Sequence, residues 1–163
     1  MENRREPIGR HDPHQWSDVR AVAKHGTPAA RAGAGLLATL LAGAMIGLAA
    51  TASLPFDLRY VLGGILVAIP VGLALVGLAR IRPQVAMLAL VELLAFAAVL
   101  LAEAAVGRPT DPLGTAIVAT ITFGAVGVAG WRARPGDVFV ALVVGSLSAA
   151  LIYEIAIPVH NVL

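Results

Sequence analysis

The stretch QVAMLALVELLAFAAVLLAEAAV, residues 84–106, decides the fold. It has about the 20 residues that a helix needs to cross the hydrocarbon core of a bilayer. Only Glu92 and Glu103 bring charge into it. A helix that is apolar on every side belongs in lipid or deep inside a large protein, and a chain of 163 residues offers no such interior. The same texture recurs on either side. Residues 33–52, 60–79, 113–131 and 138–159 form four more apolar runs, each bounded by charge, proline or both. The expected fold class is all-α, a polytopic membrane protein with about five transmembrane helices. The separators, residues 53–59, 80–83, 107–112 and 132–137, are too short for folded modules outside the membrane. Neighbouring helices are therefore expected to form antiparallel hairpins.

Composition supports this reading. The chain is 58% apolar and 13% charged, with a mean hydropathy of +0.84, far outside the range of soluble domains. Cysteine is absent, which excludes disulfides, thiolate metal sites and cysteine nucleophiles. The net charge is only +2, and the basic residues stand between apolar runs, so they act as topology signals and no nucleic-acid partner is expected. Arg4, Arg5, Arg10, Arg20, Lys24 and Arg31 precede the first run, Arg80 and Arg82 follow the second, and Arg132 and Arg134 follow the fourth. The other two separators hold only Arg59 and Arg108. Ten basic residues against two places the N-terminus in the cytoplasm and residues 160–163 outside. The expected location is a bacterial cytoplasmic (inner) membrane.

Residues 1–32 read as a polar cytoplasmic tail and residues 33–163 as the transmembrane domain. Within the tail, Trp16, Val19 and Ala23 lie at helical spacing against Asp18, Arg20 and Lys24. That pattern suits either a short interfacial helix anchored by Trp16 or a partly ordered tail. Arg4 and Arg5 are followed by Glu6 and Pro7, not by the apolar residue that a twin-arginine signal favours. Ala50, Thr51 and Ala52 resemble a signal-peptidase site, but the long leader and full-length span argue for a retained helix.

Helices in lipid associate through close backbone approach, which small residues permit. Gly43 and Gly47 form such a pair in the first span; Gly124, Gly127 and Gly130 recur in the fourth; Gly145, Ser148 and Ala149 share a face of the fifth. Pro70 interrupts the second span and is expected to kink it near residue 66, just after Gly63 and Gly64.

Glu92, at mid-span in LALVELLAF, is the most informative residue. An acidic side chain at that depth costs on the order of 3 kcal/mol, so it must face protein or water. It reads as a proton or cation site, as a contact with a partner subunit, or as a protonated carboxyl bonded to a nearby Ser or Thr. Glu103 and Glu154, the latter beside Tyr153, lie near the outer ends of their spans and are expected to reach the interface. Thr115, Thr120 and Thr122 either bond carbonyls of their own helix or line a polar path. His11 and His14 are separated by Pro13, which breaks the helix that would align them on a metal. No phosphate loop, nucleophile triad or paired carboxylate motif appears, so neither an enzyme nor a cofactor is expected.

Two stretches, LLAEAAVG at residues 100–107 and ALVVGSLSAALIYEIAIPV at residues 141–159, follow an apolar first helix that closes in Ala52-Ser53-Leu54-Pro55. This order resembles the TctB family, the small membrane subunit of tripartite tricarboxylate transporters, over residues 33–163. The resemblance implies an accessory subunit beside a large polytopic permease that carries carboxylates, fed by a periplasmic substrate-binding protein. On that reading the small subunit does not hold the transport site. The alternative is a self-contained small transporter or channel, acting as a homo-oligomer, with Glu92 and the fourth-span threonines lining its path. Five spans cannot divide into two equal inverted halves, which favours the subunit.

Overall fold

The computed structural model describes residues 28–51, 58–106 and 112–160. The possible helix over residues 15–24, the His11/His14 pair and the arginines before Pro28 lie outside them, as do residues 52–57, 107–111 and 161–163. The chain divides into two units, Met1–Arg31 and Ala32–Leu163. The description below concerns the second, together with the first turn of the helix that enters it.

Secondary structure among the described residues is helical: α1 Pro28–Ala50, α2 Leu58–Ile81, α3 Pro83–Val106, α4 Pro112–Ala129 and α5 Pro135–His160. Four of these begin on proline. The position suits it, because the first helical residue needs no N–H donor and proline's φ is already helical. α1, α2, α3 and α5 are long and apolar enough to cross a membrane, each over at least 21 residues. α1 starts five residues before the apolar run and takes Arg31 into its first turn.

α4 departs from the expectation of about five spans of roughly 20 residues each. It has 18 residues, about 27 Å at 1.5 Å per residue, and is the short member of the set. The cause is a turn: Gly130 N–H donates to Val126 O at 2.7 Å and Ala133 N–H donates to Gly130 O at 2.8 Å, which ends the helix before Pro135. Trp131, counted with the apolar run, sits in this turn and is 87% exposed. An aromatic side chain beside Arg132 and Arg134 suits the headgroup level.

α2 runs without a break through Pro70, whose ring is exposed. The missing N–H leaves the carbonyl of residue 66 without its usual intrahelical donor. α2 and α3 are joined by a single residue, Arg82, whose N–H donates to Leu78 O at 2.7 Å. Its guanidinium also reaches across to Asp137 in the first turn of α5, at 3.8 Å.

α3 and α5 form the centre; α2 packs on both, α4 packs on α3, and α1 lies against α2. Gly43 abuts Gly64 and Ala68, Gly47 abuts Tyr60, and Gly72 meets Leu36 and Thr39. A Cβ on Gly64 would run into the carbonyl of Gly43, so the two backbones touch only because both residues are glycine. The core is aliphatic, with Ile46, Leu88, Leu93, Ile152, Val85 and Val126 fully buried. Leu37, Leu41, Leu73, Val128 and Leu147 point outward and are well exposed. Outside as well as inside is apolar, so close packing and internal hydrogen bonds, not hydrophobic burial, hold the helices together in lipid.

Candidate functional site

Glu92, midway along α3, is 1% exposed. Its Oε1 accepts a hydrogen bond from Ser146 Oγ of α5 at 2.6 Å. The neighbouring Gly145 makes room for this approach, since a Cβ there would collide with the Glu92 carboxyl group. The residue singled out as a small packing position thus seats the acidic side chain. Glu92 lies nine residues after Pro83 and Ser146 eleven after Pro135. The two side chains therefore meet at matching depth.

The second oxygen is different. Glu92 Oε2 is buried and has no hydrogen-bond partner, and the same holds for Thr122 Oγ1 on α4. A buried polar atom left unpaired costs roughly 1–3 kcal/mol, and such groups are few in native proteins. The residues Glu92 and Thr122 line one cavity of about 410 Å³ between α3, α4 and α5, while Oε2 itself is turned against Gly145. Phe96, Leu100, Val118 and Phe123 supply apolar wall, while Glu103, Thr115, Tyr153 and Glu154 line its other end. From Glu92 to Glu103 the helix rises about 16 Å.

One turn further in the opposite direction there is no polar lining. Val85, Leu88, Ala89, Val126 and Ala141 are all buried there, and Gly130 sits close to Leu88 and Val138. The cavity therefore runs from mid-helix toward the ends of α3 and α5 that carry Glu103 and Glu154. Buried aliphatic side chains fill the other side of the bundle, toward Arg82 and Arg134.

The structure brings Glu92 and Glu154 together with Glu103 on this cavity and leaves Thr120 off it. Thr120 is exposed and donates to Ala116 O at 2.7 Å, one of the two roles expected for the fourth-span threonines. Thr122, two residues on, faces inward. Ser148, expected on the packing face of α5, donates to Val144 O at 2.7 Å. Gly43 and Gly47 serve the α1–α2 contact and Pro70 lies on an outer face, all away from the cavity lining. Ser146, Phe96 and Phe123 were not readable as site residues in isolation. The one available signal was that an acidic group at mid-span needs a hydroxyl at equal depth.

No family model, no curated protein and no solved structure matches the chain.

Proposed function

We propose that the protein is a small multi-pass membrane transport protein, and that the Glu92 cavity is its cation path. The observation that carries this reading is Glu92, buried at mid-bundle with one carboxyl oxygen unpartnered and lining a cavity that extends toward Glu103 and Glu154. An intramembrane carboxylate with an open acceptor is costly, and in membrane proteins such groups mark ion and proton pathways. Among the described residues the lining contains three glutamates and no Lys, Arg or His. That composition attracts cations and repels carboxylates. The protein performs no covalent chemistry on this reading.

The same proposal places the helices as antiparallel hairpins with the N-terminus in the cytoplasm of a bacterial inner membrane. Two observations support the arrangement. Along α1 the contacts step from Thr39 through Gly43 to Gly47 while along α2 they step from Gly72 through Gly64 to Tyr60. The Arg82–Asp137 pair sets the α2–α3 turn beside the start of α5, which gathers Arg80, Arg82, Arg132 and Arg134 near one end. Basic residues mark the cytoplasmic side. The cavity then opens outward, and transport requires a second conformation that opens the aliphatic seal at Leu88 and Val126.

An accessory subunit of a tripartite tricarboxylate-type transporter is the second reading, favoured by Gly124 and Gly127. Both are exposed on α4 with no atom near the position of a Cβ, which leaves a small-residue face for a helix of a larger permease. On that reading the carboxylate site belongs to the permease, in keeping with the acidic lining here. Isolation from the native membrane in mild detergent, followed by mass spectrometry, separates the two. A stoichiometric polytopic partner supports the subunit; a lone chain or homo-oligomer supports the transporter.

Transport itself is tested by reconstituting the purified chain on a solid-supported membrane and recording charge movement on jumps of Na⁺, K⁺ and 2-phenylethylammonium in turn. A current above that of protein-free vesicles for at least one cation, lost in Glu92→Gln, is expected. No current with any of them contradicts the proposal.

A further inference from the structure

The end of the bundle away from Glu103 and Glu154 carries more positive charge than it neutralises. Arg80 lies in the last turn of α2, Arg82 is the single residue between α2 and α3, and Arg132 and Arg134 stand between α4 and α5. The Arg82–Asp137 contact of 3.8 Å draws the two turns together. Among the described residues of these turns Asp137 is the only acid, and Arg82 already holds it. Arg80, Arg132 and Arg134 are exposed and form no ion pair among the described residues. α3 and α5 both begin here, and the start of a helix adds partial positive charge.

An apolar groove begins one turn into α5 from this end. Phe139, Leu142, Val143 and Leu147 of α5 and Phe123 of α4 wall a hollow of about 390 Å³ on the outer face, with Ser146 at its floor. α4 touches α5 only lightly, which leaves the gap. Phe139, Val143 and Leu147 are exposed along it. The Ser146 hydrogen is donated inward to Glu92, and every other lining side chain is hydrocarbon. The groove therefore suits an apolar body and not a polar one. Phe139 lies four residues after Pro135, about 6 Å from the turn, and the groove then follows α5 for about 12 Å to Leu147. That length is close to one leaflet's half of a hydrocarbon core of about 30 Å. A helix from a second copy would run the whole span, whereas an acyl chain occupies only its own leaflet. Trp131, exposed beside Arg132, marks the headgroup level at the groove's start.

We infer that this end of the bundle holds one anionic phospholipid, its phosphate against Arg132 and Arg134 and one acyl chain in the α4–α5 groove. Guanidinium groups match a phosphate through paired N–H donors, and basic clusters at helix ends favour anionic headgroups. A zwitterionic headgroup brings its own cation, which the unpaired arginines repel. Charge and groove meet at one level, so headgroup and chain are held together. The inference is independent of the Glu92 cavity, and a chain that carries no current would still bind the lipid.

The test uses the full chain, delipidated in detergent and shown to be helical, titrated with phosphatidylglycerol or with phosphatidylcholine of the same acyl chains. Bound lipid is counted by native mass spectrometry. Saturation at one phosphatidylglycerol per chain is expected, with phosphatidylcholine bound at least tenfold more weakly. The double variant Arg132→Gln/Arg134→Gln should lose at least tenfold in affinity for phosphatidylglycerol. Val143→Phe, which crowds the groove and changes no charge, should lose about threefold. Glycerol 1-phosphate, the headgroup chemistry without chains, should not displace the lipid at equal concentration. Equal affinity for the two lipids overturns the inference, as does displacement by glycerol 1-phosphate or undiminished binding in either variant. A lipid-free dimer that Val143→Phe breaks apart would also overturn it, by giving the groove to a second copy of the chain.

Discussion

The two oxygens of Glu92 stand in different surroundings, and the difference predicts what single substitutions do. Oε1 has the Ser146 hydroxyl at 2.6 Å; Oε2 has no partner. Ser146→Ala leaves both oxygens unpaired at 1% exposure, a loss of about 1–3 kcal/mol, which thermal unfolding in detergent should register as a lowered midpoint. Gly145→Ala drives a Cβ into the same carboxyl, and overpacking of this kind costs about 1–3 kcal/mol. Its midpoint should fall by a similar amount, while Gly136→Ala, which meets no atom within 4 Å, should leave it unchanged. Sequence marked Glu92 through its depth alone, and marked Gly145 only as a small residue. Their contact was out of reach because it joins residues 54 positions apart, and spacing along the chain says nothing about which faces of two helices meet. Thr120 and Thr122 show the same limit. Two residues on a helix point to nearly opposite sides, and only the place of Glu92 decides which one faces in.

At the scale of elements, the α1–α2 contact and the position of α4 carry the main predictions. Gly43→Val must push against the Gly64 carbonyl and the Ala68 side chain, so α1 separates from α2 or the bundle loses about 1–3 kcal/mol. Gly77→Ala, on the same α2 but with no atom within 4 Å, should instead raise stability by up to about 1 kcal/mol through helix propensity. Parallel unfolding of the two variants checks this contrast. α4 packs mainly against α3 and touches α5 only lightly, and much of its surface is exposed. Hydrogen exchange in nanodiscs should therefore be faster in α4 than in α3, as expected for the least packed element. The helices themselves were legible: the apolar runs gave their number, and Pro83, Pro112 and Pro135 mark three of the starts. Their lengths were less so. α1 extends over Pro28-Ala29-Ala30-Arg31 because alanine and arginine are good helix formers, and α4 stops early because Gly130 opens a turn that the apolar count alone does not reveal.

For the whole molecule, an apolar exterior around an acidic cavity sets the constraint. Outward-facing Leu37, Leu41, Leu73 and Leu147 are acceptable only against lipid tails, and Trp131 beside Arg132 and Arg134 marks the level of a headgroup layer. That much of the fold followed from composition and charge, because a bilayer admits few ways to satisfy a backbone. The cavity did not follow, since it depends on three helices meeting at one depth. The chain contains no cysteine, so single cysteines can be introduced on an otherwise thiol-free background. The most direct test is labelling of Ala119→Cys, on the cavity wall, with a charged, membrane-impermeant thiol reagent added to intact spheroplasts, with Arg134→Cys on the opposite turn as the reference. Residue 119 is expected to be labelled from outside, and residue 134 only after lysis. A residue 119 that reacts only from the cytoplasmic side, or not at all in folded protein, would contradict a water-reachable, outward-facing cavity ending at Glu92.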